Sequence, residues 1–351
     1  MTTRRAALGA VVGAGAALIG RQAFAQADAP VYPAIGRVRR LSPKLDGIIP
    51  PDAVIEQLAD GITWAEGPTW VREGGYLLFS DVPGNTMYRW SAKGGKEVFL
   101  KPSGYDGPPT RIFREAGSNG AIVTVSGDLV IADCGNRGLA KVDPLTKRKT
   151  VLASAYGGKK FNSPNDLVEM RDGPLRGAIY FTDPPYGLEG QDASPAKEMA
   201  FNGVYLLRPD GRVMLVDDTL TFPNGIALSP DGKRLYVSVS DPNRPVIMAY
   251  DLGFDGLPNA SEVFFDAAEL VKAGGPGLPD GMKVDVDGRL FASGPGGLMI
   301  LTPSAELLGV IETGGTVANC AFGDDGRMLY LTSNHILARV RTRTHGLTSR
   351  A

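Results

Sequence analysis

Six side chains ending in a carboxyl or amide oxygen recur in one local setting in this 351-residue sequence: Glu66, Asn119, Asn165, Asn224, Asp280 and Asn319. Each follows a proline or a small residue. Asn or Asp before Gly is ordinary turn chemistry. Glu66, however, is a poor turn residue, and turns alone do not explain a set of two acids and four neutral amides. Two carboxylates with neutral oxygens are what a hard divalent cation prefers, because Ca²⁺ takes about 6–8 oxygens and amides and water complete the number. The other reading of the same residues is a set of entry turns that hold no metal. The chain has no nucleophile elbow and only two histidines, His335 and His345. Hydrolysis at such a site would therefore fall to metal-assisted attack by water.

Holding six such side chains together requires a repeat, and the sequence has one. A second turn comes six or seven residues after each, at Glu73, Ser126, Asp172, Asp231, Asp287 and Asp325, and Gly follows every one of these. A β-rich run comes next, such as "LVIAD", "AIYFT" or "LYVSV". The unit reads oxygen residue, short strand, hairpin, second strand. Successive units start 39 to 59 residues apart, which suits one four-stranded propeller blade with variable loops. The expected fold is all-β, a six-bladed β-propeller with a central divalent metal site. Equivalent positions in a propeller share one height and one distance from the axis, so the six oxygen residues form a ring. Little chain remains after the last unit. Its outer strand is expected from the N-terminal side, around residues 53–59, and that closure leaves no open sheet edge.

Composition agrees with this reading and excludes others. A formal net charge of −1 gives no electrostatic case for nucleic acid or an anionic membrane. With 43% hydrophobic residues, 46 Gly and 26 Pro, the chain has both a core and many tight turns. The N-terminus combines Arg4-Arg5, an apolar run from Ala6 to Gly20 and the small-residue site Ala23-Phe24-Ala25. This is the pattern of an export signal, here of twin-arginine type. The expected partners are thus the twin-arginine export machinery and a small-molecule substrate, and the expected location is the periplasm. The run is short of the roughly 20 residues that span a bilayer, so the mature protein is expected to have no stable membrane span. The expected organisation is a signal over 1–25, a linker or strap over 26–51, and the propeller over 52–345. Cys134 and Cys320 fall in non-neighbouring units and are expected to be free thiols.

The motifs "AEGPTW", "NSPNDLV", "YFTDPPYGL", "FPNGIALSPDG", "PDGMKVDVDG" and "NCAFG" occur in this order from about Ala65 to Thr332. They resemble the gluconolactonase branch of the senescence-marker-protein/gluconolactonase superfamily. The resemblance implies a six-bladed propeller with one divalent cation at its axis, Ca²⁺ first, Zn²⁺ or Mn²⁺ as alternatives. It implies opening of a sugar lactone or, as in relatives, of another lactone, ester or phosphoester. Carried over by motif, the metal-binding residues are Glu66, Asn165, Asn224 and Asp280, with Asp280 also the candidate general base. Asn119 and Asn165 are candidates to touch substrate, and Asn319 to support the metal from outside. An arginine that one branch carries two residues before the "ND" asparagine is replaced here by Ser163, and the "CGNR" stretch (residues 134–137) has no nearby histidine. Both departures bear on sugar preference. A non-catalytic propeller that binds a ligand remains the third reading.

If the first strand of each blade leaves the ring, the second returns to the same face. The loops that follow second strands then line the pocket. On this basis Tyr186 forms a stiff wall beside the cation, the rest of the 183–203 loop is a lid, and Asp183 orients the site from behind. His335 is a further candidate for the pocket, while Asp231-Gly232 closes a hairpin on the far face.

Overall fold

The computed structural model describes residues 1–2 and 31–347. The chain divides into Met1–Val31 and Tyr32–Ala351, and beyond its first two residues the export signal expected over 1–25 lies outside the described residues. Cys134 and Cys320 are both buried and unpaired.

Among the described residues, Tyr32–Leu347 builds six antiparallel blades. Blade one runs outward from the axis through Ala65–Val71, Tyr76–Asp81, Thr86–Ser91 and Gly95–Leu100. The innermost strands of the other five are Ala121–Val123, Leu167–Glu169, Pro223–Leu228, Met282–Val284 and Val317–Gly323. The first two strands of a blade carry apolar residues on both faces, because both faces pack against neighbouring blades. Leu77, Leu78 and Phe79, consecutive in blade one, are all fully buried. Outer strands read differently: Lys149–Ala153 of blade two is mostly exposed or half-buried. The core is therefore a set of wedges between blades, such as the cluster of Phe291, Ile300, Val317 and Leu331 between blades five and six.

Closure uses the N-terminal side. Ile55–Ala59 pairs antiparallel with Ile336–Arg341 and supplies the fourth strand of blade six. Two further N-terminal strands add to blade edges, Ala34–Ile35 beyond Ile55–Ala59 and Arg37–Arg40 beyond Leu307–Glu312 of blade five, and Ala155–Tyr156 pairs with Lys159–Lys160 in a separate hairpin. Leu45, Ile48 and Ile49, between Arg37–Arg40 and Ile55–Ala59 in the chain, are buried in the blade five–six wedge. Residues 34–49 are thus packed onto the propeller wall.

The hairpins on the far face use Gly for its conformation. Gly127, Gly173, Gly232, Gly288 and Gly326 all have φ between +68° and +85°, a region that L side chains rarely adopt. In blade one that position falls to Gly75 (φ +61°) instead of Gly74. No helix among the described residues is long and apolar enough to cross a membrane.

Candidate active site at the propeller axis

The six oxygen residues do form a ring, and the ring is assembled by contact between blades. A side-chain carbon on Gly67 would lie 2.0 Å from the Asn119 carbonyl oxygen, and one on Gly225 would lie 2.2 Å from that of Asp280. On Gly120 it would meet the Asn165 carbonyl at 2.8 Å, and on Gly281 the Asn319 amide at 2.0 Å. In these four blades the glycine after the ring residue is therefore the seat of the next blade's ring residue. Hydroxyls on the second strands latch the same joints. Ser80 Oγ donates to the Asn119 carbonyl at 2.8 Å, Thr182 Oγ1 to that of Asn224 at 2.6 Å and Ser238 Oγ to that of Asp280 at 2.9 Å. Where the ring residue lies inside the strand, the ladder bulges beside it: the register shifts between Glu66 and Thr69, between Pro223 and Ile226, and between Val317 and Asn319. Such bulges re-aim a side chain that regular pleating would place in a blade wedge.

The ring closes from blade six to blade one. Asn319 Nδ2 donates to Glu66 Oε2 and to Asp166 Oδ2, both at 3.3 Å. Asn319 Oδ1 faces the other way, accepting from the Cys320 amide at 2.8 Å and from Lys283 Nζ at 3.3 Å. Asp166 is a third carboxylate at the axis that the repeat did not single out. It occupies the position that is glycine in four of the other units, so its side chain enters where the others carry none. Its Oδ2 lies 3.9 Å from Lys283 Nζ.

Burial and crowding make Glu66 and Asp280 reluctant to ionise. Glu66 is pushed up to about 8, chiefly by desolvation; the Gly67 amide at 2.8 Å opposes this and the Asp166 charge adds to it. Asp280 is raised well above the usual carboxylate range by burial first, then by the charges of Glu66 and Asp166. Among the described residues no three His, Cys, Asp or Glu side chains group as a ready-made metal site; the donor set is mixed. Asn119 Oδ1, Asn224 Oδ1 and Asp280 Oδ1 are buried and accept no hydrogen bond. Asn224 is oriented by donation from Nδ2 to Ser240 Oγ at 2.9 Å. Buried acceptors without partners are costly, and these three belong to the ring.

The wall beside them is Tyr186, whose ring stacks on Phe222 at 5.7 Å and 12°. Its hydroxyl also has no hydrogen-bond partner. Burial raises its pKa, and the Asp280 charge adds to that.

A family model described as the SMP-30/gluconolactonase/LRE-like region matches residues 64–335. This chain belongs to that family. It is 47% identical over 316 residues to a gluconolactonase from Zymomonas mobilis, covering 89% of this chain and 88% of the relative. The solved structure of a gluconolactonase from Xanthomonas campestris matches with a TM-score of 0.75 and 32% identity, over 89% of this chain and 98% of that one. A calcium-binding protein, regucalcin, from Agrobacterium tumefaciens matches with a TM-score of 0.64 at 21% identity, over 91% of this chain and 97% of that one, and shares the fold.

In this family member the remaining candidates take structural positions around the ring. Asp183 Oδ2 and Oδ1 accept from the Asn162 and Ser163 amides, both at 2.8 Å. It thereby braces the turn that delivers Asn165. Asp81 does the same for Thr63 and Trp64 ahead of Glu66, at 3.0 and 3.2 Å, and Asp241 accepts from Thr221 Oγ1 ahead of Asn224 at 2.8 Å. The brace is a feature of the repeat, legible in the aspartates that end "FSD", "FTD" and "VSVSD". Ser163 takes part in the same turn: its Oγ donates to the Pro184 carbonyl at 2.6 Å and accepts from Gly187 N at 2.9 Å, which ties the Asn165 turn to the Tyr186 wall.

Two expectations are corrected here. The 183–203 loop is not a lid: Leu188 and Met199 are 0% and 5% exposed, and Gly187 O accepts from Arg114 N at 2.9 Å while Glu189 N donates to Ile112 O at 2.9 Å. His335 does not enter the pocket: it is exposed, and its Nδ1 lies 3.0 and 2.9 Å from the carbonyls of Ile62 and Thr63.

Proposed function

We propose that this protein hydrolyses a sugar lactone with the help of one divalent cation held by Glu66, Asn165, Asn224 and Asp280. The carrying observation is the set of partnerless buried oxygens on Asn224 and Asp280, joined through the ring to the Glu66 and Asp166 carboxylates. Hard oxygens, charged and neutral, suit Ca²⁺ first and Zn²⁺ or Mn²⁺ after it. The 47% identical relative is a gluconolactonase, and the Agrobacterium protein of the same fold is calcium-binding; both support the reading. Bound at the ring, such a cation supplies a Lewis acid for the lactone carbonyl.

The chain's own groups do the rest. The Asp280 carboxylate, made more basic by burial, takes the proton of the attacking water. Asn119 Oδ1, unspent in the fold, accepts a hydrogen bond from a substrate hydroxyl. The stacked Tyr186 and Phe222 rings give the sugar a flat wall, and the Tyr186 hydroxyl reaches it beside Asn224. Asp183 is a positioning residue: it holds the turn from which Asn165 projects.

The test is a panel of aldonolactones and phosphotriesters given to chelated protein with Ca²⁺, Zn²⁺ or Mn²⁺ added back. Aldonolactone opening that EDTA abolishes and Ca²⁺ restores is expected. Full activity after chelation would sink the metal role, and turnover of phosphotriesters alone would move the assignment to hydrolysis of a phosphoester. We further propose export through the twin-arginine route to the periplasm; a mature protein recovered with its N-terminus intact through Ala25 would refute it.

A further inference from the structure

The axial cluster holds three carboxyl groups, which when ionised together carry more negative charge than one divalent cation balances. Glu66, Asp166 and Asp280 all act on one another there, and Asp166 and Glu66 share a single amide, Asn319 Nδ2. The residue that meets this excess is Lys283, from the innermost strand of blade five. Its side chain is only 24% exposed. Nζ donates to the Met282 carbonyl at 2.9 Å and to Asn319 Oδ1 at 3.3 Å, and it lies 3.9 Å from Asp166 Oδ2. One ammonium and one divalent ion together neutralise three carboxylates.

The same contacts settle which way the Asn319 amide points. An amide can offer an oxygen or a pair of N–H groups to a neighbour, but not both from one end. Lys283 and the Cys320 amide hold the oxygen, so the N–H groups face Glu66 and Asp166. A lysine serves here because it presents a compact point charge on a flexible stem.

We propose that Lys283 is a built-in cation of the axial site, a positioning residue that neutralises Asp166, fixes the Asn319 amide and limits the cluster to a single divalent ion. This rests on the ring holding a divalent cation. Without the ammonium, the Asp166 carboxylate loses its nearest positive charge and joins Glu66 as an oxygen donor, and the cluster has the charge for a second ion.

The experiment is calorimetric titration of chelated wild-type and Lys283→Met protein with Ca²⁺, together with metal content by elemental analysis. Wild type is expected to take up one ion. Lys283→Met is expected to bind a second one, or to bind the first at least tenfold more tightly, and its chelated form is expected to melt at a lower temperature than chelated wild type. Lys283→Arg, which keeps the charge, is expected to retain a single ion at close to wild-type affinity. If Lys283→Met does not fold, Lys283→Gln, which keeps a donor for Asn319, is titrated in its place with the same expectation. A single ion bound by the neutral variant within twofold of wild-type affinity overturns the role of Lys283 and leaves the ring metal standing. A wild type that binds no divalent ion removes both.

Discussion

Asn224-Gly225 and Asp231-Gly232 lie seven residues apart at opposite ends of one hairpin and look like the same turn signal. Their glycines are needed for different reasons. Gly232 has φ +68°, so its requirement is conformational and local. Gly225 has no such backbone; a side chain there would run into the Asp280 carbonyl at 2.2 Å, so its requirement is imposed by the next blade. The oxygens differ in the same way. Asp231 Oδ1 accepts from Ser229 Oγ at 2.6 Å and from Lys233 N at 3.1 Å, and is fully used in shaping its turn. Asn224 Oδ1 is buried and accepts nothing. A turn that spends its oxygen on itself is structural, and one that keeps a buried oxygen unspent is held ready for something else.

The largest break in this comparison is expected at the carboxylates. Asp280→Asn keeps shape and volume but removes the charge and the base. Lactone turnover should fall by about 10²–10⁴-fold, the range general-base removal gives, with the fold intact by circular dichroism. Asp231→Asn, the matching change at the hairpin, should leave turnover within the error of the assay. Equal losses in the two variants would mean that the ring is not the reacting end.

The glycines come next. Gly225→Ala forces the blade four–five joint apart, because the obstacle is backbone and cannot rotate away. A loss of about 3 kcal/mol is expected in denaturant unfolding, and activity should drop with it, since the displaced atom belongs to Asp280. Gly232→Ala meets positive φ and the flexible Met170 side chain, whose sulfur lies 2.8 Å from the added carbon. It should cost about 1–2 kcal/mol and leave the activity of the folded fraction unchanged.

Much of this was legible in the sequence, and the parts that were not share a cause. The ring and the blades were legible because they repeat: one oxygen residue, one hairpin and one buried strand in each unit. Asp166 and Lys283 do not repeat. Each reaches the axis from a position where the other units carry something else, glycine in the first case, and only the packing of blades three, five and six brings the two to within 3.9 Å. The Asn319 amide could not be oriented from sequence for the same reason, since the groups that hold its oxygen include a lysine from another blade. Asp183 stood out in the sequence as the residue that ends a returning strand, yet Asp81 and Asp241 brace their own blades. His335 drew notice by its rarity and by its loop after a second strand, and its Nδ1 lies against the Ile62 and Thr63 carbonyls where blades six and one meet.

The smallest effect sharpens the comparison by its sign. Asp280 and Asp231 are both Asp-Gly aspartates whose pKa moves in opposite directions. Burial raises the first. The second is mostly exposed, and its pKa is lowered, first by the hydrogen bond from Ser229 and further by the Lys233 amide and charge. A depressed carboxylate stabilises the fold above its unfolded pKa and loses that contribution as pH falls through the folded one. Asp231→Asn should therefore cost a few tenths of a kcal/mol at pH 7, the scale of a solvent-screened interaction. Once acid has protonated the wild-type carboxyl in both folded and unfolded chains, the charge-dependent part of that difference should vanish. Paired melting curves at pH 7 and at successively lower pH, down through the depressed folded value, would check it. A gap that widened toward low pH would mean the Asp231 carboxyl is held neutral, as a buried acid is, and the distinction between the two ends of the hairpin would fail.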